Sequence, residues 1–143
     1  MLGLLVVTHG RLAEVLVQAA TTIVGEVEGL EAISIGWHDD VVVARKRIED
    51  AVHRLGADDG VVILTDMFGG TPTNLALSQL ADSRVEVVTG VNLPMLIKFT
   101  SIRERLDVAD VASTIAAEGR RAISVASALL EGESAAPEEP EES

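Results

Sequence analysis

The chain has 143 residues and a mass of 15.1 kDa, enough for one domain with a real core and too little for two comfortable ones. It is 48% hydrophobic but only 2% aromatic, so the core must be built from Val, Leu, Ile and Ala, and the lack of cysteine removes disulfides and thiolate metal sites. A net charge of -12, from 23 acidic and 11 basic residues, argues against nucleic acid as a partner, since that needs clustered Lys and Arg. No run approaches the roughly 18 apolar residues of a membrane span, and "MLGLLVVTHG" lacks the basic start of a signal peptide. The cytoplasm is the expected location, with no direct membrane insertion.

Residues 2–8 are a short apolar run without alternation, the pattern of a strand covered on both faces. Beyond Gly10 the period changes, and Leu12, Val15, Leu16, Ala19, Ala20 and Ile23 fall on one helical stripe. "LEAISI" (30–35) is a second strand. Asp39 or Asp40 can cap a helix whose inward face is Ala44, Ile48, Ala51 and Leu55. "GVVILT" (60–65) is a third strand, the most strongly apolar of the set. Thr71 followed by Pro72 reads as an N-cap with proline at the first helical position, opening a helix through Ala81. "VEVVT" (85–89) is strand four. Pro94 opens a helix carrying Leu96, Phe99 and Ile102, and Asp107 caps one that includes Val111 and Ile115. "RAISVASALL" (121–130) fits a continuation of that helix or a final strand. From Glu131 onward there are six acidic residues and no basic one, so residues 131–143 are expected to be a disordered acidic tail on a domain of residues 1–130.

Buried strands alternating with helices imply parallel pairing and helices on both faces. The expected fold is α/β, an open three-layer sandwich. Right-handed crossovers and short connections predict a four-stranded parallel sheet of order 2-1-3-4. Such sheets hold ligands at the carboxyl ends of the strands, where the strand order reverses. His9 follows strand one and Asp66 follows strand three, so both should emerge at that crevice. A carboxylate on one imidazole nitrogen fixes the tautomer and frees the other to attack, and without a serine or cysteine beside it this pair suits a histidine that is itself modified. Gly10, Gly69 and Gly70 would permit close backbone approach, while Thr71 and the N–H groups of its helix would face a phosphoryl group. Each feature also has a bland reading: a loop histidine, a turn-capping aspartate, a tight glycine loop, a structural helix start. Their meeting at one crevice favours an anion site.

His53 is expected to be solvated. His38 follows strand two at the site's end of the sheet, and Trp37 could line the rim or cover the core, the second being expected. His9, His38 and His53 lack short ligand spacing, so no metal is expected. "GGTPTN" lacks the lysine and glycine spacing of a Walker loop.

"LGLLVVTHGRLAE", "GVVILTDMFGGTPTNLA" and "VEVVTGVNLPMLIKF" together resemble the mannose-type enzyme IIA component of the bacterial phosphoenolpyruvate-dependent sugar phosphotransferase system, over roughly residues 1–125. The resemblance implies that His9 accepts a phosphoryl group on Nε2 from the histidine-containing phosphocarrier protein and passes it to a histidine of a IIB component, expected here as a separate protein. It implies that Asp66 hydrogen-bonds the other ring nitrogen and that Gly70 and Thr71 help hold the phosphoryl group. It also implies a homodimer that exchanges a fifth strand, a role open to residues 121–130. No cofactor is expected, because the donor is already a phosphoimidazole. Met67 and Phe68 stand where the family carries an aromatic and are expected to dock a partner, although Phe68 could instead pack inward. Two alternatives are a regulatory module whose His9 phosphorylation state is read by a partner, and the phosphotransferase subunit of a dihydroxyacetone kinase.

Overall fold

A computed structural model describes residues 1–56 and 58–132. The elements run β1 (Gly3–His9), α1 (Leu12–Val24), β2 (Leu30–Ile35), α2 (Val41–Leu55), β3 (Val61–Thr65), α3 (Thr71–Leu77), β4 (Val85–Thr89), α4 (Leu93–Ile102), α5 (Val108–Arg121) and α6 (Ala126–Glu131). The strands form one parallel sheet of order β2-β1-β3-β4, as the sequence predicts. The reversal of strand order between β1 and β3 opens a crevice where both strands end.

The continuous apolar runs follow from burial on both faces. Leu4 and Val6 of β1, with Val62 and Leu64 of β3, pack against α1, α4 and α5. Leu5 and Val7, with Val61 and Ile63, pack against α2 and α3. All eight are fully buried, each contributing about 1.5–3 kcal/mol relative to exposure. Phe99 is fully buried on the α4 side, and the Arg103 guanidinium carbon lies 5.0 Å from its ring centroid. Arg103 donates to the Leu2 and Glu28 carbonyls and so ties α4 to the start of the sheet.

The two candidate caps of α2 do separate jobs. Asp40 accepts from the backbone N–H of Val42 and Val43, whereas Asp39 accepts from that of Gly36 and braces the turn after β2. Helix α3 differs from the expectation at both ends. Its N-cap is Gly70, whose carbonyl accepts the first helical bond from Asn74, so Thr71 is the first helical residue. It stops at Leu77 and not at Ala81, because the Ser78 hydroxyl donates to the Leu75 carbonyl and the following amides turn back three residues instead of four.

Residues 121–130 form neither a continued helix nor a strand. A last helical bond from Ala122 to Glu118 and a tight three-residue bond from Ile123 to Arg120 end α5, residues 122–125 leave it, and α6 follows with Ile123, Val125 and Leu130 each at least 70% exposed. No fifth strand forms among the described residues. The acidic stretch beyond Gly132 lies outside the described residues.

Candidate functional site

His9 and Asp66 meet at the crevice. His9 is the last residue of β1, in register with Ile35 of β2, and Asp66 leaves β3 one residue after Thr65. The bend that presents His9 has two causes. Gly10 adopts φ +57, in the left-handed region open to glycine. Thr8, fully buried, accepts the N–H of Ala13 at 2.7 Å and so anchors the first turn of α1 directly behind the histidine.

Asp66 Oδ2 accepts twice from the same residue: from the His9 backbone N–H at 2.9 Å and from the ring at Nδ1, 2.8 Å away. Its Oδ1 accepts from the Met67 N–H at 3.0 Å. Burial pushes the Asp66 carboxyl up, but the backbone and ring hydrogen bonds from His9 outweigh it and hold the group below its ordinary value. An ionised carboxylate on Nδ1 places the ring proton there, so Nε2 keeps its lone pair. The His9 side chain is 46% exposed and that of Asp66 only 15%. The carboxylate is sheltered and the imidazole accessible.

The three glycines of the site divide by cause. A Cβ at Gly10 or Gly69 would meet nothing, and both have positive φ, so backbone conformation requires glycine there. Gly70 has an ordinary φ of -92, yet a Cβ on it would stand 2.7 Å from His9 Cε1 and 3.1 Å from Nε2. Close approach, expected of all three, belongs to Gly70 alone, and it falls on the Cε1–Nε2 edge of the ring. Thr71 follows at the start of α3, which has no side-chain cap. His9 and Thr71 line one end of a cleft of about 260 Å³ whose other walls include Ile35, Trp37 and Val41.

Trp37 does not cover the core. It is 96% exposed at the edge of that cleft, because β2 ends at Ile35 and the turn braced by Asp39 carries the indole outward. Met67 (55%) and Phe68 (72%) are exposed as well, which removes the inward-packing alternative for Phe68. Arg11 pairs with Glu14 along α1, Nε to Oε1 3.6 Å. His38 and His53 are both solvent-exposed, His38 in the turn after β2 and His53 on α2.

Residues that sequence reasoning passed over lie behind the visible ones. Thr8, Thr65 and Thr73 are fully buried and hydrogen-bonded, and polar residues inside otherwise apolar strand and helix patterns are the signal that could have found them.

A family model described as the PTS system fructose IIA component, EIIA-man, matches residues 3–116. The fructose-specific EIIA component of Bacillus subtilis (strain 168) is 30% identical over 132 residues, covering 92% of this chain and 90% of its own. Two solved structures are similar. The PTS IIA protein associated with the fucose utilization operon of Streptococcus pneumoniae has a TM-score of 0.80 at 25% identity, covering 90% of this chain and 96% of its own. The mannose/sorbose specific IIA subunit of Enterococcus faecalis has a TM-score of 0.77 at 26% identity, covering 86% and 92%. These relatives name different sugars, so the resemblance holds for a IIA component in general and not for the mannose type in particular. No helix among the described residues is long and apolar enough to cross a membrane. The chain belongs to the EIIA-man family of phosphotransferase-system IIA components and is a phosphotransferase of the phosphoryl-relay kind.

Proposed function

We propose that His9 is the residue that carries the phosphoryl group, taking it on Nε2 from a phosphohistidine of the histidine-containing phosphocarrier protein and handing it to a histidine of a IIB component. The single observation behind this is the bond from His9 Nδ1 to Asp66 at 2.8 Å, which leaves Nε2 as the free nucleophile beside Gly70. In the forward step the Nε2 lone pair attacks phosphorus. The donor's N–P bond breaks, and its electron pair returns to the donor imidazole. His9 then carries imidazolium character with its proton on Nδ1, where the Asp66 carboxylate offsets the charge. Passing the group to IIB reverses these events, so one site serves both directions. No cofactor enters, since donor and acceptor are both imidazoles and the site need only align and stabilise the transferred group. Gly70 gives the phosphoryl oxygens room, and Gly10, Gly69 and the Thr71 hydroxyl shape the walls around them.

The donor's phosphohistidine and the acceptor's histidine must each reach His9 in line, so the rim is a docking face. Met67 and Phe68 in the loop after β3, and Trp37 at the edge of the cleft, supply exposed apolar surface that suits adaptable contacts. A homodimer completes the reading. The β4 strand lies at the sheet edge, and the exposed Ile123, Val125, Leu129 and Leu130 offer apolar surface to a second copy.

Incubation with enzyme I, the phosphocarrier and phosphoenolpyruvate is expected to label the protein with an alkali-stable, acid-labile phosphoryl group. His9→Ala should fold and take no label. Undiminished labelling of His9→Ala would remove His9 as the acceptor.

A further inference from the structure

Thr65 closes β3 and Thr73 lies in the first turn of α3, so the pair spans the loop of residues 66–70 from strand to helix. Both are 0% exposed. Their hydroxyl oxygens are 2.6 Å apart, and Thr73 also donates to the Met67 carbonyl. A threonine hydroxyl has one proton. That of Thr73 goes to Met67, so Thr65 must be the donor to Thr73. The bonds therefore run in one direction, from the Thr65 hydroxyl to the Thr73 hydroxyl to the Met67 carbonyl.

The chain of contacts continues to the ring. Met67 is held at its carbonyl by Thr73 and at its N–H by Asp66 Oδ1 at 3.0 Å. The other oxygen of the same carboxylate takes His9 Nδ1 at 2.8 Å. At the far end of the loop, the Gly70 carbonyl accepts from Asn74, fixing the glycine that stands against His9 Nε2. Valine would fill the volume of either threonine, as Val61 and Val62 do in the same strand, without the desolvation cost of a buried hydroxyl. Volume alone does not require hydroxyls here; the bonds they make do.

We infer that the buried pair of Thr65 and Thr73 is a positioning element of the transfer site, setting the depth of the loop of residues 66–70 and through Asp66 the tautomer of the His9 ring. This rests on the reading of His9 as phosphoryl acceptor. Without the Thr73 bond the Met67 carbonyl loses its anchor inside the loop, and the Asp66 carboxylate swings with the Met67 N–H that it holds.

The test uses the full chain with Thr73→Val, Thr73→Ser and Thr73→Ala. In the unphosphorylated protein, 15N spectra of the His9 ring should show a single Nδ1–H tautomer for wild type and a mixture for Thr73→Val. Maximal phosphoryl acceptance should fall about tenfold or more in Thr73→Val, the scale of a small misplacement of reacting groups. Thr73→Ser should restore both readouts. A wild-type tautomer and rate in Thr73→Val would overturn the inference, as would a Thr73→Ser protein as impaired as the valine variant. Should Thr73→Val fail to fold, Thr73→Ala, which removes the same donor to the Met67 carbonyl without adding a methyl group, carries the test: a mixed tautomer supports the inference and an unchanged one overturns it. The ring measurement is independent of phosphorylation, so it stands even if His9→Ala were to overturn the acceptor assignment.

Discussion

Replacing Asp66 by asparagine separates the charge of the site from its shape. Three donors converge on the carboxylate: the His9 N–H and Nδ1 on Oδ2, and the Met67 N–H on Oδ1. An amide has one oxygen to offer. With that oxygen toward His9, the new NH2 confronts the Met67 N–H. With the amide flipped, the NH2 faces the ring, which must then hold its proton on Nε2, the attacking nitrogen. In the better arrangement the shape survives and the charge is lost. A unit charge developing on the ring about 4 Å from a carboxylate gains about 4 kcal/mol at an effective dielectric of about 20. The His9 side chain is 46% exposed, so solvent screening reduces this by roughly half, to about 2 kcal/mol. The loss of charge assistance in two hydrogen bonds, about 1 kcal/mol each, is the same quantity reached another way. Asp66→Asn should therefore slow transfer from the phosphocarrier up to about 30-fold and shift the equilibrium toward the phosphocarrier, with the return step slowed much less. Rapid-quench measurement of labelled phosphoryl transfer in each direction checks this. An unchanged rate in both directions would show that another group orients and stabilises the ring.

Gly70→Ala should fold with near wild-type stability, since its φ is an ordinary -92 and the ring it would strike is partly exposed and can move; transfer should fall at least tenfold, the cost of a displaced nucleophile, read by the same quench assay. Because hydrogen bonds in the fold lower the Asp66 pKa, its contribution to stability is fully present above the unfolded carboxylate value of about 3.9 and lost as pH falls through the lower folded value. Urea midpoints of wild type and Asp66→Asn should thus differ at neutral pH and converge in acid, and a constant difference would contradict this. Met67→Glu should weaken phosphocarrier binding in an amide-shift titration while leaving the unfolding midpoint in place; an unperturbed affinity would move the docking face elsewhere. Sedimentation at micromolar concentration should give a dimer, and deletion from Arg121 onward should dissociate it; a monomeric full-length protein would refute the dimer.

Much of this protein is legible along the chain because its determinants are local or periodic. Uninterrupted apolar runs mark strands buried on both faces, and their alternation with helical stripes dictates parallel pairing. Short right-handed crossovers then leave the order β2-β1-β3-β4, which carries His9 and Asp66 to one crevice. The sequence could not say which purpose each glycine serves. Gly10 and Gly69 answer to a dihedral angle, whereas Gly70 answers to a ring 61 positions away, contact that exists only once β1 and β3 lie side by side. Trp37 misled for a related reason. An apolar side chain predicts burial only on average, and the turn held by Asp39 turns this one outward. The buried threonines were hidden because a hydroxyl in a strand is ambiguous until its partner is known, and Thr65 finds Thr73 eight residues on, across a loop. Residues 121–130 show the same limit at the level of a whole segment: their apolarity is plain in the sequence, but what covers it depends on surfaces that the chain order does not specify. Composition and period decide which elements form, because each residue votes on its own local conformation and burial. The tertiary structure alone decides which side chains meet, because contact depends on the summed geometry of every element between them.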